Sequence, residues 1–132
     1  MKIIQRIALA LALGLSIQVN AQTDEIKTQD TQIVHTVLFK FIPGTSGAQI
    51  NKLTSGLISL KGILPGIEKM SYGENFSARS QGFTYAVTIT FSDSNALKAF
   101  YAHPEHQNVI RDLILPIKAD MIVVDYEDRN KK

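Results

Sequence analysis

Beyond residue 32 the hydrophobic positions change period in a regular order, and each period predicts an element. Residues 33–42 alternate with period two. This sets Ile33, His35, Val37, Phe39 and Phe41 on one face of a strand and Val34, Thr36, Leu38, Lys40 and Ile42 on the other. Pro43 and Gly44 end it. Ser46 with Gln49 makes a capping box, after which Ile50, Leu53, Leu57, Leu60 and Leu64 recur at helical spacing until Pro65-Gly66. A weaker strand follows at about 67–76, then a polar loop at 77–82. Residues 83–91 alternate strictly, with Phe83, Tyr85, Val87, Ile89 and Phe91 on one face. Ser92 or Asp93 caps a second helix carrying Leu97, Phe100 and Tyr101. Pro104 interrupts that helix and can open a short one reaching about Leu115, because its missing amide proton costs nothing in a first turn. Residues 121–126 supply the last strand.

The order strand, helix, strand, strand, helix, strand is the ferredoxin-like split βαβ pattern, an α+β fold with a four-stranded antiparallel sheet. The first and third strands lie at its centre, and they are also the most apolar. Two helices cover one face of such a sheet, yet Val34, Leu38 and Ile42 make the other face of the first strand apolar too. A second copy packed sheet against sheet is the simplest cover, so a homodimer is expected.

The first residues read differently. Lys2 and Arg6 precede the apolar run 7–15, and Val19-Asn20-Ala21 offers small residues at the spacing a signal peptidase reads. Residues 1–21 are read as a signal peptide, 22–32 as a polar flexible leader, 33–127 as the folded domain and 128–132 as a charged tail. The apolar run is too short to cross a bilayer and no basic stop-transfer cluster follows, so no stable membrane anchor is expected after cleavage. The protein is expected to be exported, either periplasmic or secreted. The chain carries 14 basic and 12 acidic side chains; removing Lys2 and Arg6 leaves 12 of each. A neutral mature protein has no concentrated basic face for nucleic acid. The absence of cysteine excludes disulfides and thiol catalysis.

Five segments in order resemble one family. Residues 33–41 look like the opening strand of stress-responsive A/B barrel domains, also called dimeric α/β-barrel (Dabb) domains. Leu64-Pro65-Gly66-Ile67, Tyr72-Gly73-Glu74-Asn75, Gly82-Phe83-Thr84-Tyr85-Ala86 and Tyr101-Ala102-His103-Pro104-Glu105-His106 continue the likeness. The resemblance implies a ferredoxin-like fold and a dimer whose two sheets form a barrel, without a single shared activity. A polyketide cyclase of the family uses the second histidine of the His-Pro-x-His motif as its base, which corresponds to His106. The tyrosine that assists it there is replaced by Phe100 here, and Leu57 stands where another pocket tyrosine is expected. Tyr101 is adjacent to Phe100 but turned about 100° round the helix.

Candidate chemistry centres on the histidines. His35 shares its face with Val37 and Phe39, and it reads equally as a hydrogen-bonded core histidine or a functional one. Period two puts Tyr85 on the corresponding face of the third strand, where the two side chains could line one pocket. His106, in the first turn after Pro104, is the candidate general base, with a solvated helix-start residue as the alternative. His103 reads first as a turn former before proline and second as a ligand contact. Val37, Val87 and Phe100 complete the candidate pocket lining. A metal drawn from His35, His103, Glu105 and His106 is disfavoured because Pro104 breaks the helix between them, so no metal is expected. No phosphate loop, dinucleotide fingerprint or nucleophile elbow is present in the sequence, and no cofactor is expected. Two functions stay open: a homodimer binding a small apolar or aromatic molecule between helices and sheet, or a cofactor-free enzyme, cyclase-like, lyase-like or monooxygenase-like, with His106 as base.

Overall fold

The computed structural model of the protein describes residues 31–130. The signal peptide read at 1–21, all but the last two residues of the leader, and Lys131 and Lys132 lie outside the described residues. The elements are β1 (Ile33–Phe41), α1 (Gly47–Leu60), β2 (Ile67–Glu74), β3 (Tyr85–Phe91), α2 (Ser94–Ala102), α3 (Pro104–Val109), a π-helical turn (Ile110–Ile114) and β4 (Lys118–Glu127). Ser46 Oγ accepts from the Gln49 amide at 3.2 Å, and Gln49 Oε1 accepts from the Ser46 amide at 2.9 Å, so the capping box fixes the start of α1. After α1 the chain turns at Gly66, whose φ of +92° suits glycine. A Cβ at Gly66 would also lie 2.5 Å from Ala96 Cβ, so the turn packs directly on α2.

Several boundaries differ from the sequence reading; α1 ends at Leu60, before Leu64, and β1 at Phe41. β3 begins at Tyr85, not Phe83, because Gln81 and Gly82 both take positive φ and the chain is still leaving its turn. β2 stops at Glu74, short of Phe76. β4 starts at Lys118, earlier than expected, since β1 offers it partners as far as Phe41 across a bulge.

The sheet order is β2-β3-β1-β4 with every pair antiparallel, which is the ferredoxin-like arrangement. One face packs under the helices. There Phe39, Ile89, Phe91 and Phe100 join Leu53 and Leu60 in a fully buried core. Burying side chains of this size stabilises by about 1.5–3 kcal/mol each. The other face carries Val34, Leu38, Ala86, Ile122, Val124 and Tyr126, with Thr36 and Thr88 hydroxyls 3.1 Å apart between them. Ile122, Val124 and Tyr126 are exposed, and no helix of the described residues covers them.

Candidate functional site

Asp93 caps α2 by accepting from the Ala96 amide at 2.8 Å. The helix ends at His103, whose backbone is extended (φ −72°, ψ 132°) because Pro104 follows. His103 Nδ1 accepts from the Glu105 amide at 3.1 Å, so this imidazole caps α3. That bend between α2 and α3 swings His106 inward. Its ring lies 3.9 Å from the Phe100 ring at 34°, and the residue is 6% exposed. His106 is therefore buried and not a solvated helix-start residue. Its Nδ1 has no hydrogen-bond partner. Burial lowers the His106 pKa below the usual imidazole value; the Tyr101 carbonyl opposes this, and the charges of His35 and His103 add to it.

His35 sits in the middle of β1, directly opposite Asp125 of β4. His35 Nδ1 and Asp125 Oδ1 are 2.6 Å apart. A carboxylate only accepts, so Nδ1 carries the proton and Nε2 is left for the cavity that His35 lines. The Tyr101 hydroxyl donates to Asp125 Oδ2 at 2.7 Å and lies 3.2 Å from His35 Nδ1. Burial, then the hydrogen bond to Asp125 and its charge, raise the Tyr101 phenol well above its usual range. The phenol stays protonated and donating. One carboxylate thus fixes a histidine tautomer and a tyrosine rotamer together.

Under these groups lies a cavity of about 120 Å³. Val37, Phe39, Leu57, Val87, Ile89 and Phe100 give it apolar walls; His35, Tyr101, His106 and Gln107 bring the polar atoms. Ile110 and Ile114 of the π-helical turn and Met121 and Val123 of β4 complete it. The structure thus gathers His35, His106, Val37, Val87 and Phe100 from the sequence candidates into one place.

Tyr85 and His103 are not part of it. Tyr85 pairs with Phe39, whereas His35 pairs with Ile89, so four residues of strand, about 13 Å, separate Tyr85 from the level of His35. Its hydroxyl instead lies 3.1 Å from Thr54 Oγ1 on α1. Period two fixes the face of a side chain and leaves its height along the strand open. His103 spends its ring nitrogen on the helix cap. Tyr101 and Asp125, which join His35 in a hydrogen-bonded cluster, are the site candidates that sequence reasoning misses. The turn of about 100° that separates Tyr101 from Phe100 on the helix points it away from the core and aims it at the sheet edge. A signal for Asp125 does exist, since it shares parity with Met121 and Val123 in the last strand. Among the described residues no three His, Asp or Glu side chains converge as a metal site.

Residues 33–128 match the family model described as Stress responsive A/B Barrel Domain. The chain belongs to this family. A curated A/B barrel relative, a stress-response A/B barrel domain-containing protein of Arabidopsis thaliana, is 25% identical over 100 residues, 75% of this chain. The match covers 38% of that relative, so the chain spans about four-tenths of its length. Among solved structures, a dimeric ferredoxin-like protein of unknown function from Jannaschia sp. CCS1 is similar at 28% identity and TM-score 0.65, over 73% of this chain and 98% of the other. At3g17210 of Arabidopsis thaliana is similar at 26% identity and TM-score 0.67, over 71% and 92%. The hydroxynitrile lyase of Passiflora edulis shares the A/B barrel chain's fold at 20% identity and TM-score 0.70, over 77% and 97%.

Proposed function

We propose that this A/B barrel protein is an exported homodimer that binds a small, mostly apolar molecule in the cavity, with one polar group of the ligand meeting His106 and His35. The observation that carries the reading is the apolar cavity into whose wall the fold brings both the buried His106 and the Asp125-oriented His35. A hydrogen bond from a ligand's polar group to one of these imidazoles contributes about 0.5–1.5 kcal/mol and orients the ligand against the apolar walls. The volume sets the scale of the occupant, because an apolar cavity of about 150 Å³ holds benzene. At about 120 Å³ this cavity is a little smaller, so its occupant is at most one ring or the tip of a larger molecule. The dimer is supported by the apolar open face of the sheet and by the dimeric description of the Jannaschia neighbour. Export is supported by Lys2, Arg6, the apolar run after them and the Ala21 cleavage site.

Phenol, one ring with one hydroxyl, is the probe. In an NMR titration it should shift the His106 and His35 ring signals of the wild type. Val87→Phe, which fills the cavity, should abolish those shifts, and His106→Leu should weaken binding about tenfold. Unchanged binding by Val87→Phe would remove the cavity reading.

A second reading is a cofactor-free enzyme in which His106 or His35 accepts a proton from a bound substrate. The 2.6 Å pairing of His35 with Asp125 favours it, since an oriented imidazole with a free Nε2 suits general base work. His106→Gln should then lower turnover roughly a hundredfold with little change in affinity.

A further inference from the structure

We propose that each cavity is completed by the other protomer, with the partner's Phe76 covering its opening beside Val123 and Asp125. The inference rests on the homodimer proposed above and adds to it a residue contributed in trans. Tyr101, Met121 and Val123, which line the cavity on its β4 side, are all exposed, so the cavity opens at that edge of the sheet. Phe76, just past the end of the opposite edge strand β2, is 98% exposed, and Tyr72 beside it is half exposed. Phe76 and Tyr72 line one groove at the end of this edge strand, and such a paired aromatic patch beside an edge is the kind of surface that a partner covers.

The strand directions say which partner edge it meets. β2 is antiparallel to β3, β3 to β1 and β1 to β4, so β2 and β4 run in opposite senses. Half a turn about an axis along the strands therefore sets β2 of one copy antiparallel to β4 of the other, twice. Eight strands close into a barrel with the apolar face inside and no free edge. Across one protomer Val123 pairs with Val37, Val37 with Val87 and Val87 with Tyr72. Continuing that row past β4 reaches the partner's β2, displaced by the tilt of the strands. Four strands at about 4.8 Å, tilted by about 35–45°, give roughly 13–19 Å, or roughly 4–6 residues.

The direction of the displacement follows from handedness. Seen from the helices with β1 pointing up, the right-handed β1-α1-β2 crossover puts β2 to the right and β4 to the left. Barrel strands lean up to the right, so crossing leftward climbs toward the C-terminal end of the partner's β2. β2 ends at Glu74, and carrying its pleat on past that end, with helix-facing residues kept in register with helix-facing residues, puts position 76 or 78 opposite Val123. In the first case the partner's Phe76 faces Val123; in the second it faces Asp125. Both lie on the helix side, over the opening.

The chain has no cysteine, so the geometry can be read by cross-linking. Two double variants are made, Phe76→Cys with Val123→Cys and Phe76→Cys with Asp125→Cys. Within one protomer the two positions stand at opposite sheet edges, at least three strand spacings or about 14 Å apart, beyond the ~7 Å limit between bridged Cα atoms. A disulfide can join only two protomers. Mild oxidation should convert at least one variant to covalent dimer. A dimer by sedimentation in which neither pair cross-links overturns the trans contact while leaving the dimer standing; a monomer overturns both.

As a second measurement, Phe76→Ala should stay dimeric while diethyl pyrocarbonate modifies His35 several-fold faster than in the wild type. His103, outside the cavity, serves as the reference. An unchanged His35 rate in the dimeric variant overturns the cover.

Discussion

His106 is an imidazole that the fold keeps neutral, and this has a consequence for stability in acid. Its pKa in the folded protein is lowered, chiefly by burial, below the value of about 6.5 that it has in an unfolded chain. Below that pH the unfolded chain binds more protons at this position than the folded one, so acid favours unfolding. The contribution is fully present above about pH 6.5 and is lost as pH falls through the folded pKa. Urea melts at pH 7.5 and 5.5 should show the wild type losing stability, with a smaller loss in His106→Gln; equal losses would place the titrating group elsewhere. Tyr101 makes a different contribution. Tyr101→Phe removes the donor to Asp125 Oδ2 and should cost about 1–2 kcal/mol in urea melts, leaving the His35 pairing in place. A variant as stable as the wild type would show that water replaces the phenol without penalty.

At the scale of elements, the π-helical turn after α3 is a helix carrying one extra residue, since the Leu115 amide donates to the Ile110 carbonyl, five positions back, at 2.9 Å. Deleting Arg111, whose side chain is exposed, should rewind the turn as α-helix and keep Ile110 and Ile114 at the cavity. Melting should fall by only a few degrees. Deleting Ser55 from the middle of α1 should instead rotate Leu57 and Leu60 by about 100° out of the core and abolish folding. Thermal melts of the two deletions separate these outcomes.

This turn was not legible in the sequence, because Ile110, Leu113 and Ile114 also fit an ordinary helix. The strand faces, the capping box of α1 and the order of elements were legible, since period and cap chemistry are local. The β1-β4 register that sets Asp125 against His35 depends on how distant segments meet and carries no local mark. The bend itself was legible at Pro104, but its direction, which buries His106, was not. For the same reason the period set His35 and Tyr85 on one face of the sheet, while their separation of four residues along the strands was not legible.

Across the molecule as a whole, the described residues present an apolar sheet face that none of their helices covers. Ile122 is exposed in the protomer, so Ile122→Asp should let the chain fold and leave it monomeric in sedimentation; inside a closed barrel the same carboxylate would cost several kcal/mol. A well-folded Ile122→Asp dimer would contradict the sheet-to-sheet assembly. The two free edges, β2 and β4, add a consequence that belongs to mass action. If unfolding releases two chains from one native particle, each tenfold dilution removes about 1.4 kcal/mol of stability, and the melting temperature falls with it. Released protomers bare two strand edges able to recruit any extended chain. The protein is then safest from strand-templated aggregation when it is crowded with copies of itself, and most at risk when it is scarce.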